Sequence, residues 1–246
     1  DPAGAGPTPW WQLGGSRVTV RGTIATANVP GTNGAAARPV RPTILAARLA
    51  PGAVATSAQA VGEQHWLTVL CRFSDLPDEP HPPEWYLDRY GQDHPRLGHF
   101  WSELSFGQLE LDGVVRGWYG LPGPLSNYVL DVDGDGELET LDEARAARDC
   151  TAAADGDVYF PDYDGIQLAF NHPLALYARG GTHFLTLDGQ SRAWRMTWLP
   201  DWAYDNLGVV EHEMGHALGL PHSVATWPTI YDNVWDLMSD VGGAVQ

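Results

Sequence analysis

His212-Glu213-Met214-Gly215-His216-Ala217-Leu218-Gly219-Leu220-Pro221-His222 places three histidines at offsets that acquire meaning on a helix with an abrupt end. The apolar spacing of Asn206 to Leu218 predicts that helix. Residues four apart share a helix face, so His212 and His216 present their imidazoles one turn apart, as two ligands of one tetrahedral zinc ion require. Glu213 stands beside the first ligand, where it can serve as general base toward a metal-bound water. Gly219 suits the left-handed conformation that closes a helix, and Pro221 blocks its continuation. The chain can then return with His222 as third ligand. Three protein ligands leave a position for water, which is the catalytic rather than the closed structural arrangement. Protonation of the histidines is expected to release the metal below neutral pH.

Working outward, His65 to Phe73 is a continuous apolar run ended by Ser74-Asp75 and Pro77, the pattern of a buried central strand. Pro83 to Tyr90 and His99 to Leu104 read as helical pieces. Gln108 to Val115 reads as a strand and turn, Tyr163 to Phe170 as a further strand, and Trp194 to Trp198 as a short edge strand. Strands and helices alternate, which predicts an α/β (α+β) layer fold. The composition changes near Gln64, dividing residues 1–63 from 64–246. The first part is rich in Pro, Gly, Ala and Thr, with a strand-like Arg17 to Arg21. It reads as a β-rich extension, an extended connector or a propeptide-like segment that covers the cleft.

The His212–His222 segment resembles the extended His-Glu-x-x-His-x-x-Gly-x-x-His motif of the metzincin clan of zinc endopeptidases. The resemblance implies a zincin fold with a mixed sheet, an active-site helix and a short C-terminal part. It also implies that Met238, in Trp235-Asp236-Leu237-Met238-Ser239, is the Met-turn residue that floors the zinc site. Some of these enzymes carry a Tyr two residues after that Met; Asp240 stands there, so no such role transfers. Phe100 to Tyr119, with its aromatic helix, Ser105-Phe106-Gly107 turn, strand and Gly117-Trp118, resembles secreted immune inhibitor A-type and gametolysin-type peptidases. Many of the former have Asp at the third-ligand position, whereas His222 is the gametolysin choice, so the subfamily stays open. The likeness spans about 64–240 and implies a zinc-dependent endopeptidase with Glu213 catalytic and His212, His216 and His222 on zinc.

Asp131-Val132-Asp133-Gly134-Asp135-Gly136-Glu137 has EF-hand-like spacing, with Asp142 at the twelfth position, opening an apparent helix from Leu141 to Ala147. Asp131, Asp133, Asp135, Glu137 (through its carbonyl) and Asp142 are therefore expected to hold a structural calcium ion. Asp155, Asp157, Asp162 and Asp164 form a looser cluster, open to a second cation or to ordinary turn chemistry. The six remaining histidines lack ligand spacing and read as packing or surface residues. Cys71 and Cys150 either form one disulfide or remain buried thiols.

Composition excludes several classes. At 43% hydrophobic and 18% charged residues, the chain is globular rather than disordered. No apolar run reaches membrane-spanning length, so no membrane insertion is expected. The 31 acidic residues outnumber 14 arginines, with no lysine, for a formal charge of -17. That charge repels phosphate backbones, and nucleic acid is excluded as a partner. The expected molecule is secreted, monomeric and acts on protein or glycoprotein. The rival expectation is a latent or non-catalytic protein- or glycan-binding module on the same scaffold; the 11 Trp serve either as core or as an aromatic row for such a ligand.

Overall fold

Gly62–Arg72 forms β1, a strand buried on both faces. In the computed structural model the described residues are 60–135, 138, 140–175, 178–223, 233 and 236–239. Nearly all of the expected 1–63 segment, together with Glu137 and Trp235, lies outside them. Leu67, Val69 and Cys71 turn to one side of the sheet, while Trp66 and Leu70 turn to the other. Alternation with apolar residues on both sides is what a central strand covered by helices requires.

The elements that follow are α1 (Pro83–Asp88), α2 (Leu97–Leu104), β2 (Leu109–Gly120), β3 (Val129–Leu130), β4 (Thr140–Leu141), α3 (Glu143–Ala154), β5 (Gly165–Phe170), β6 (Arg179–Leu187), β7 (Gln190–Leu199) and α4 (Leu207–Ala217). The main sheet has the order β2-β1-β5-β7-β6. Its first four strands are parallel, and β6 pairs antiparallel with β7. The fold is therefore a mixed α/β layer structure with a mostly parallel sheet and, among the described residues, four α-helices. One face packs on α3 through Ala146, Ala147 and Cys150. The opposite face packs on α1, α2 and α4 through Tyr86, Leu97, Trp101, Val210 and Met214.

Cys71 of β1 and Cys150 of α3 form a disulfide, with Cα atoms 6.0 Å apart. Both are fully buried, so the bond pins α3 to the sheet from inside the core. On the other face, Thr68, Gln167 and Thr197 lie in register across β1, β5 and β7, all fully buried. Tyr204 donates its hydroxyl to Gln167 Oε1 at 2.6 Å. That bond anchors the 3-10 turn Asp201–Asp205, and with it the start of α4, to the middle of the sheet.

Three expectations change. The strand beginning near Gln108 does not turn within Gln108–Val115 but runs on to Gly120, because it pairs with β1 along its whole length, with Gly113 passing beneath the ring of Tyr90. Trp194–Trp198 belongs to a ten-residue strand inside the sheet, since β6 covers its outer side. The helix after the acidic loop starts at Glu143 and continues to Ala154, further than the expected Ala147.

Candidate metal centre

Asn206 starts α4 by accepting a hydrogen bond from the Gly208 backbone N–H at 3.2 Å. Val210, Met214 and Ala217 then fix the helix against the sheet. This rotation leaves His212 and His216 together on another side of the helix. The last turn closes with Leu220 N–H donating to Gly215 O at 2.9 Å and Gly219 N–H to His216 O at 3.0 Å. Gly219 takes φ 97°, the left-handed conformation that this closure needs. The reversal brings His222 back against the helix.

The three imidazoles converge through the same atom. His216 Nε2 lies 3.1 Å from His212 Nε2 and 2.9 Å from His222 Nε2. Two of the opposite ring nitrogens face carbonyls: His212 Nδ1 is 2.8 Å from Leu237 O, and His216 Nδ1 is 2.9 Å from Leu220 O. A carbonyl only accepts, so both Nδ1 atoms carry the proton and both Nε2 atoms present lone pairs. Two lone pairs at this separation suit a shared cation. Ligand nitrogens around a tetrahedral zinc at about 2.0–2.1 Å are about 3.3 Å apart. The observed spacing is within a few tenths of an ångström of that, and the donor set is the one zinc prefers. The residues present fit the ion.

The support beneath the ligands comes from residues 236–239. Met238 is buried, and its Sδ lies 2.5 Å from where a Cβ on Gly215 would stand, so the sulfur keeps this position against α4 because residue 215 is glycine. Leu237 supplies the carbonyl on His212, and Met238 O accepts from Ser223 N–H at 2.8 Å, next to the third ligand. One short turn therefore orients His212 and ties the backbone next to His222, the kind of support that outer-shell groups give in metal sites.

Glu213 is buried at 9% exposure, and burial pushes its carboxyl up to about 7 against the opposing pull of Arg179. Its neighbour Glu211 is likewise raised to about 7 by burial. Burial is also the main force holding the His216 imidazolium down, to about 4, with His212 and His222 adding to it. His222 is lowered for the same reasons. Burial thus favours the neutral form of His216 and His222, the form in which an imidazole can ligate. Gly180 of β6 lies against the Glu213 backbone carbonyl, so the edge of the sheet runs directly beside the helix at the residue between the ligands.

The acidic loop is only partly assembled as expected. Carboxylate oxygens of Asp131, Asp133 and Asp135 lie within 4.8 Å of one another. Asp131 Oδ1 accepts from Gly134 N–H at 2.6 Å and Asp133 Oδ1 from Asp135 N–H at 3.2 Å. Asp142 does not join them. It caps α3, its Oδ1 accepting from Arg145 N–H at 3.0 Å, a role that a short carboxylate before a helix fills well. Glu137 lies outside the described residues. The looser cluster does not assemble either among the described residues: Asp157 accepts from the Tyr119 hydroxyl and Asp164 from the His65 N–H.

Sequence reasoning missed β6 and Arg179, its first residue, whose charge acts on Glu213, His216 and His222. The signal was there. Asp188-Gly189 is a two-residue hairpin turn between extended runs, and both residues take positive φ, 48° and 76°. No family model and no curated protein matches the chain.

Proposed function

We propose that the chain is a secreted, zinc-dependent metalloendopeptidase of the metzincin type. The observation that carries this reading is the convergence of three Nε2 atoms, two with their Nδ1 protons fixed on backbone carbonyls, beside the buried Glu213. His212, His216 and His222 would hold the ion. When bound, zinc supplies Lewis acidity to a water and to a peptide carbonyl. Glu213 takes a proton from the attacking water as the oxygen–carbon bond forms. It returns that proton to the amine nitrogen as the carbon–nitrogen bond breaks. Leu237 O and Leu220 O keep the imidazoles in one tautomer throughout.

The sheet order, with one antiparallel edge strand beside α4, supports a metzincin-like fold, as does Met238 beneath Gly215. The cleft wall also suits a protein substrate. From Gly180 to Leu187, β6 carries no charged residue and no proline, whereas the other sheet edge, β2, has Glu110, Asp112 and Arg116. Charges on an edge discourage strand addition, so of the two sheet edges among the described residues β6 is the one suited to an extended peptide. The Cys71–Cys150 bond fits an oxidising compartment. Calcium at Asp131, Asp133 and Asp135 completes the proposal as a loop-stabilising ion.

Removing the metal with a chelator is expected to abolish hydrolysis of an unfolded protein such as casein, and one equivalent of zinc to restore it. Undiminished hydrolysis in a chain shown to be zinc-free would overturn the reading.

A further inference from the structure

We infer that Phe184 selects an apolar substrate side chain about four residues N-terminal to the cleaved bond. This rests on the endopeptidase reading. Phe184 lies on β6, and its ring is 67% exposed although it sits mid-strand. Strand alternation explains where it points. Gly180 pairs with Thr197 and abuts Glu213, so the Gly180 face is the α4 face. Thr182 and Phe184 share that face, because successive side chains alternate. His183 and Leu185 turn the other way, His183 against Trp198 and Leu185 onto the α3 side of the core.

The ring is exposed for a simple reason. Its cross-strand partner on β7 is Ala193, whose methyl group covers little of it. On the opposite flank no strand pairs with β6 among the described residues. A peptide added to that edge is more stable antiparallel than parallel. It then runs from Leu187 toward Gly180, so the residue opposite Phe184 precedes the one opposite Gly180. Four residues at about 3.3 Å place the two roughly 13 Å apart. A residue directly opposite on the same face comes within side-chain contact, and an aromatic–apolar pair there favours binding by roughly 2–5-fold.

The test digests a mixed peptide library with the zinc-loaded chain and with Phe184→Ala, whose exposed ring leaves the core intact when removed. The parent is expected to show roughly 2–5-fold apolar enrichment at the third to fifth residue before the cut. Phe184→Ala should lose it, and Phe184→Arg should turn the preference toward acidic residues. A binding arm needs no turnover: the same library is passed over immobilised Glu213→Gln, with and without Phe184→Ala. Retained peptides should be enriched in apolar residues only while Phe184 is present. A parent that cuts with a flat profile, or retention indifferent to Phe184, overturns the inference and leaves the endopeptidase reading standing. Phe184-dependent retention by a chain that cuts nothing overturns that reading instead.

Discussion

Two backbone oxygens decide what the helical histidines can do. With Leu237 O and Leu220 O holding the Nδ1 protons, each Nε2 has no proton to share and can only accept or ligate. Met238 secures one of those oxygens by filling the space beneath Gly215. Met238→Ala is therefore expected to cost about 2–4 kcal/mol of stability and to weaken zinc about 10–100-fold, read by thermal denaturation and a chelator competition titration. A second residue-level expectation concerns His65, far along the sheet from the metal ligands. Asp112 faces it across β1 and β2, 2.5 Å from Nδ1. That hydrogen bond and the carboxylate charge raise the His65 pKa above its ordinary 6.5. The sign follows directly: the stabilisation is complete below 6.5 and fades as pH rises through the higher folded value. Both groups are half or more exposed, so it amounts to about 0.5 kcal/mol. In an NMR titration, Asp112→Asn should bring the His65 midpoint down toward 6.5; an unmoved midpoint would remove the pair from consideration.

At the scale of elements, α4 and β6 fit each other through one missing side chain. Gly180 has the Glu213 carbonyl where its Cβ would be, and backbone cannot swing aside as a side chain does. Gly180→Val is expected to cost about 1–3 kcal/mol and to lower turnover by displacing Glu213, measured by urea unfolding and by hydrolysis on the same preparation. The elements also differ in how plainly the sequence announces them. α4 was legible end to end, because Asn206, the apolar spacing and Gly219 each act locally. β1 was legible because a strand covered on both faces must be apolar throughout. The edge or central position of β7 was not, since it depends on whether another strand lies outside it. β6 itself is half-solvated, with Gly180 and Gly181 at its start, and its weak apolar pattern hid it despite the Asp188-Gly189 turn. At the site, the convergence of His212, His216 and His222 could be read from spacing alone. Gly180 and Arg179 could not, because their neighbours on α4 are more than thirty positions away in the chain. Asp142 illustrates another limit: loop spacing and helix capping favour the same residue type at the same place, and the cap prevails.

For the molecule as a whole, one covalent tie spans the core. Cys71 and Cys150 are 79 residues apart, and closing a loop of that length removes about 4 kcal/mol worth of freedom from the unfolded chain. The double variant Cys71→Ala/Cys150→Ala should lose a comparable amount, seen as a lower urea midpoint, while keeping its zinc. The disulfide and the histidine cluster thus lie on opposite sides of the sheet, the disulfide on the α3 face and His212 and His216 on α4. The most direct measurement is the rate of casein hydrolysis by the parent and by Glu213→Gln, both brought to one zinc per chain. Loss of the general base is expected to slow cleavage by about 100–10,000-fold without releasing the metal. Equal rates at equal zinc content, or no cleavage by the fully loaded parent, would contradict a peptidase built on Glu213.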